Sequence, residues 1–221
     1  MINFLSKTIV FLFLLQSFSG YASYPKHWWK PVDPQTAPSW EVLPQEAKEG
    51  EVILSKRNEL GIFSNFAKTP FSLDGYSYES VEGFWQMMKY PDPLLQNDPR
   101  NQVSGWQYSR DEVSQLYGFT AKKAGKLAKK IMKKHHFYWI SYLGKKIEDK
   151  GQDQKLHEKI IFRAIQSKIN QNPKVKTLLL KTGNLVLKPD HHPSEEATPA
   201  YEYYRMLMEI RTQLQEVANL D

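Results

Sequence analysis

Glu82, Gln86 and Lys89 are spaced so that, on a helix, a carboxyl, an amide and an ammonium fall along one face. A carboxyl so placed can stabilise a cationic centre or take a proton from water, with its neighbours tuning its proton affinity. Ser80 can cap such a helix, which puts Glu82 in the first turn, where the dipole favours a carboxylate. The plainer alternative is a helix-start glutamate that only serves the dipole. A second carboxyl, Asp190, follows the apolar run Leu185-Val186-Leu187; Glu195 or Glu196 could take its role, and an ordinary loop aspartate is the competing reading. Ser64, Asn65 and Phe66 follow an expected strand at the start of a loop. Asn65 could hydrogen-bond a base or ribose, and Phe63, Phe66 or Trp85 could stack on a base, although aromatics in such positions are more often core. Lys56 and Arg57 could meet a phosphate. Asp190-His191-His192 and His135-His136 lack the spaced partners of a metal site, so no metal is expected. The chain has no cysteine, and hence no disulfide, thiolate ligand or cysteine nucleophile. It also carries no Walker loop, dinucleotide fingerprint or nucleophile elbow.

The elements that must position these residues can be read from periodicity and punctuation. Glu51–Lys56 reads as a strand and Pro70–Glu79 as a hairpin turning at Asp74-Gly75. Ser80 opens a helix over Val81–Tyr90, stopped by Pro91 and Pro93. Asp92–Ser109 is a polar excursion without periodicity. Thr120 is expected to cap a helix over Ala121–Lys134, whose apolar stripe is Ala121, Ala124, Leu127, Ala128 and Ile131. Lysines at 122, 123, 126, 129, 130, 133 and 134 decorate its remainder. They could attract phosphates or a nucleic-acid backbone, but such a run is more often a solvated face. Gly125, in the middle of that helix, costs stability and implies close approach by another group. His136–Lys150 gives no clear signal. A helix follows over Gln154–Ile169; Asn172-Pro173 then opens a shorter one, which Gly183 ends. Asn184–Lys188 reads as a strand, and Thr198-Pro199 opens a last helix to about Val217.

With 221 residues, 41% hydrophobic and 24% charged, the chain suits one globular domain with extensions. Residues 1–22 have Lys7 as their only charge, then an apolar run from Ile9 to Leu15 and a small-residue ending. That order reads as a signal peptide, so the protein is expected to be exported, to the periplasm or beyond. The apolar run is too short to span a membrane, and with the leader cleaved no stable span is expected. Residues 23–50 form an arm rich in proline and tryptophan, read as a linker whose aromatics cover a groove, and residues 51–217 form the domain. The net charge of +6 fits an anionic partner.

Four segments in order carry a resemblance. They are Gly61-Ile62-Phe63-Ser64-Asn65-Phe66; Tyr78-Glu79-Ser80-Val81-Glu82 with Gln86 and Lys89; Ala121-Lys122-Lys123-Ala124-Gly125; and a stretch from His157 to Leu214 that includes Lys168-Ile169-Asn170-Gln171-Asn172-Pro173. Together they resemble the NADAR (YbiA-like) family. The region from Asp190 to Pro199 departs from the family pattern, lacking its Trp-Gly pair and its later glycines. The resemblance implies an α+β fold, a small β-sheet with a hairpin surrounded by several α-helices. It implies an N-glycosidase that needs no cofactor. The substrate would be nucleotide-like, such as an early riboflavin-pathway intermediate, or ADP-ribosylated guanine in DNA. Glu82 and Asp190 would be catalytic, and Ser64, Asn65, Phe66, Trp85, Gln86 and Lys89 would bind substrate. Two other functions fit the same residues. One is an ADP-ribose-binding module that has lost catalysis. The other is an exported basic protein that holds nucleic acid or an anionic surface through Lys122–Lys134.

Overall fold

A computed structural model describes residues 24–192 and 198–218. The leader, Glu195 and Glu196 lie outside the described residues. Among the described residues the architecture is α+β, with six α-helices and three separate two-stranded pieces of sheet around one apolar core.

Strands β1 (Glu51–Ile53) and β6 (Val186–Lys188) pair in parallel, Val52 opposite Leu187. They come from opposite ends of the domain, so their pairing closes the chain on itself. Because they run the same way, the segments that leave them emerge at the same edge. Lys56 and Asp190 meet there as an ion pair.

Strands β2 (Phe71–Leu73) and β3 (Tyr76–Tyr78) form the expected hairpin. Asp74 and Gly75 both take positive φ, 51° and 84°, as a type I′ turn requires. Strands β4 (Ile140–Tyr142) and β5 (Lys145–Ile147) form a second hairpin in the stretch that gave no sequence signal.

Helix α1 (Val81–Met87) is two turns long and held at both ends. Ser80 Oγ accepts from the Gly83 N–H at 2.9 Å, as its position implies. At the other end Arg100 donates to the Met88 carbonyl and Arg110 to those of Met87 and Tyr90, each at 3.1 Å. These arginines satisfy carbonyls that a helix end leaves open. Arg100 is completely buried against Asp98, so an otherwise largely exposed polar excursion contains an internal ion pair. A short helix α2 (Arg110–Ser114), missed in the sequence, crosses α1, and a Cβ on Gly83 would come within 2.3 Å of the Leu116 carbonyl.

Helix α3 spans Gly118–Lys134 and begins at Tyr117, so Thr120 lies within its first turn and is not the cap. The backbone decides this: the Gly118 N–H bonds the Phe66 carbonyl at 3.0 Å and Ala121 N–H the Tyr117 carbonyl. Helices α4 (Gln154–Gln171) and α5 (Pro173–Lys181) follow the proline break as expected. Asn172, however, makes no side-chain cap; its amide donates instead to the carbonyls of Pro70 and Lys168. Helix α6 runs from Tyr203 to Ala218, later than its Thr198-Pro199 opening, which forms only a 3-10 turn at Pro199–Tyr201. No helix of the described residues is long and apolar enough to cross a membrane.

Candidate functional site

Helix α1 and the turn just after it carry the line of polar groups read from the sequence. Gln86 Nε2 donates to Glu82 Oε1 at 2.8 Å, and Lys89 Nζ donates to Gln86 Oε1. The Gln86 side chain lies so close to α3 that a Cβ on Gly125 would sit 1.7 Å from its Oε1. That is the close approach Gly125 implied. The Glu82 N–H bonds the Asn65 carbonyl at 2.8 Å, tying α1 to the loop at Ser64–Phe66.

That loop is held from beneath. Lys168 is buried and donates to the carbonyls of Ile62 and Ser64 at 2.7 and 2.8 Å. Burial pushes its amine down to about 7. Asn65 Oδ1 is buried with no hydrogen-bond partner, an acceptor left free beside the loop.

Ser64, Asn65, Phe66, Glu82, Trp85, Gln86 and Lys89 all line one cleft of about 690 Å³, a size usual for a small-molecule site. Asp190 is not in the lining. It is 1% exposed, bonded to Lys56 and His191, and those two side chains reach the cleft. Burial would raise the Asp190 carboxyl, but the hydrogen bonds of His191 and Lys56 outweigh it and hold it below its usual value.

Sequence reading passed over several walls of the cleft: Trp40, Phe119, His191, His192, Tyr201 and Tyr203. Phe119 and the lysines of α3 could have been found from helical spacing, since residues 119, 122, 126 and 129 share a face. Trp40 entered the sequence reading only as one of the arm's aromatics expected to cover a groove, and here it lines the cleft.

Five lysines line the cleft, at 56, 89, 122, 126 and 129, and Glu82 is its one acid among the described residues. Lys56 and Lys122 lie over the Phe66 ring at 5.9 and 5.5 Å, so that ring is engaged by cations. Lys123, Lys130, Lys133 and Lys134 are exposed and outside the lining, the solvated part of the run.

Glu82 is 7% exposed. Burial raises its carboxyl above the usual range, and Gln86, Lys89 and Lys122 only partly offset that. Lys89 is pushed down to about 8, first by burial, while Glu82 and Asp149 pull it back up. Lys89 thus gives up its proton near neutral pH more readily than an ordinary lysine, beside a carboxyl that burial makes a better proton acceptor. Behind them His157 packs edge-on against Trp85 at 5.1 Å, with neither ring nitrogen bonded. Burial, with Lys89 nearby, lowers it to about 4, so it is neutral.

No protein-family model matches the chain, and no curated protein does. Among solved structures the chain is similar to the NMR structure of the E. coli protein YbiA, at 20% identity and a TM-score of 0.48, over 86% of this chain and 96% of that one. The chemistry below rests on the geometry of the cleft.

Proposed function

We propose that the protein hydrolyses an N-glycosidic bond in a nucleotide-like or ADP-ribosylated (guanine) substrate, without a cofactor. One observation carries the reading: a single cleft joins a buried carboxyl to five ammonium groups and several aromatic rings. Ammonium groups suit phosphates, flat rings suit a base, and a carboxyl suits the sugar that links them. The NADAR-like motifs in the sequence agree with this.

In the proposed reaction the bond from the anomeric carbon to the base nitrogen breaks, and its electron pair leaves with the base. The sugar becomes oxocarbenium-like, as in glycoside hydrolysis. Ionised Glu82 stabilises that cation, the more so because burial removes competing water. Water then adds to the anomeric carbon and gives its proton to Glu82. Lys89, whose proton is loosely held, supplies the departing nitrogen. Asp190 assists at one remove, by keeping Lys56 and His191 on the wall of the cleft.

The test is release of free base or ADP-ribose from DNA carrying ADP-ribosylated guanine, comparing wild type with Glu82→Gln. Release that Glu82→Gln abolishes supports the reading. Tight binding of ADP-ribose without release would make the protein a binding module instead, and neither binding nor release would overturn both. The lysine face of α3 could hold the backbone of such DNA. The leader adds export to the proposal; finding the full-length chain only in the cytoplasm on fractionation would overturn that part.

A further inference from the structure

The arm holds three tryptophans, and the fold treats them differently. Trp28 is fully buried, and its indole N–H donates to Glu59 at 2.7 Å. Trp29 donates to the Glu51 carbonyl at 2.9 Å. Trp29 thus ties the arm to strand β1, and Trp28 ties it to the 3-10 turn Glu59–Phe63. Trp40 is 49% exposed, lines the cleft, and has no ring, cation or hydrogen-bond partner among the described residues. Leaving a large indole half in water forgoes burial that its neighbours obtain.

The backbone on either side of Trp40 is fixed. The Glu41 N–H closes a turn onto the Pro38 carbonyl at 3.0 Å. Arg57 grips the Glu41 carboxylate with two bonds of 2.7 Å. The Val42 N–H donates to the Asp190 carbonyl at 3.0 Å, and Glu41 bridges His191. The arm is therefore stitched to the segment that forms the cleft rim, and the stitches flank one open ring.

The other rings of the cleft are more occupied. Phe66 faces two lysines and meets the edge of Phe119, while Trp85 is packed between His157 and Tyr201.

We propose that Trp40 is the base-stacking residue of the cleft, so that the arm sets specificity for substrates with a planar nucleobase. This rests on the nucleotide-like substrate proposed above. The base lies against the indole while the phosphates meet the lysines of α3.

Calorimetric titration with ADP-ribose and with ribose 5-phosphate separates the contributions, using wild type, Trp40→Ala and Trp40→Phe, each checked for folding by its melting curve. Trp40→Ala should weaken ADP-ribose about tenfold or more, the usual loss when one base loses its aromatic partner. It should leave ribose 5-phosphate unchanged, and Trp40→Phe should restore most of the loss. Arg57→Ala, which releases the Glu41 carboxylate next to Trp40, should weaken ADP-ribose in the same direction. Equal weakening of both ligands would make Trp40 a structural rim, and no weakening of either would leave it outside the site; each result overturns the stacking role alone. A wild type that binds neither ligand would overturn the substrate reading and this proposal with it.

Discussion

Glu82 enters the interior with the Gln86 amide as its side-chain partner, and burial raises its carboxyl above the 4.5 of an ordinary glutamate. The folded state therefore holds a proton that the unfolded chain gives up, and the stability this provides is present in acid and lost as pH rises through the raised value. His157 works the other way. Its imidazole falls from 6.5 to about 4, so stability is lost as pH drops through that window. Urea unfolding at several pH values should show Glu82→Gln gaining on the wild type as pH rises above the 4.5 of an ordinary glutamate, and His157→Gln gaining as it falls from 6.5 to about 4. A constant offset in either variant would sink the corresponding burial argument. In turnover, Glu82 must be ionised and Lys89 protonated. The kcat/KM profile should rise above the ordinary carboxyl range and fall near 8, and Lys89→Met should remove the falling limb.

Helix α1 is too short to stand by its own propensity, so its ends and its neighbours decide its position. Arg100 is the clearest case. Replacing it with methionine strands the Asp98 carboxylate in the interior and should cost about 3–5 kcal/mol, read from chemical denaturation. Gly125 is a subtler one. Alanine there improves the propensity of α3 by about 1 kcal/mol, yet its methyl occupies the space of the Gln86 side chain. Gly125→Ala should fold with unchanged or slightly higher stability while losing about 10²-fold in activity, as small misplacements of reacting groups do. Wild-type turnover in that variant would mean that Gln86 does not organise Glu82 and Lys89. Arg100 also marks where sequence reading stopped, whereas the close approach at Gly125 was legible. Ser80, Asp74-Gly75 and Pro173 act within a few residues of themselves, and each was legible. The Arg100 knot joins residues 88, 98, 100 and 141, which no local pattern connects.

At the scale of the molecule, the cleft gathers positive charge from Lys56 after β1, Lys89 just beyond α1, and α3, around one acid among the described residues. Binding of a phosphorylated ligand should weaken steadily between about 0.05 and 0.5 M salt, as screening shortens the reach of the lysines. The triple change of Lys122, Lys126 and Lys129 to glutamine should raise KM with little change in kcat. The same number of changes at Lys123, Lys130 and Lys133 should leave KM alone. Equal effects from both sets would mean a general surface field and no lined site.

By itself the sequence determined the long helices and the first hairpin, though not α2 or the β4–β5 hairpin, and that Glu82, Gln86 and Lys89 share a face. Those depend on propensity, capping and a fixed helical period, all local. It also brought forward Asn65 and the lysine run, without saying which lysines face inward. Only the tertiary structure decided that β1 and β6 pair, although more than a hundred residues separate them in sequence. That pairing draws Asp190 behind the wall onto Lys56, and it gives the arm a rim on which to dock Trp40. The α3 helix, likewise, takes its start from the Phe66 carbonyl across the loop and not from Thr120. Contacts of this kind are chosen by the shape of the whole core, where burial of apolar area outweighs any local preference.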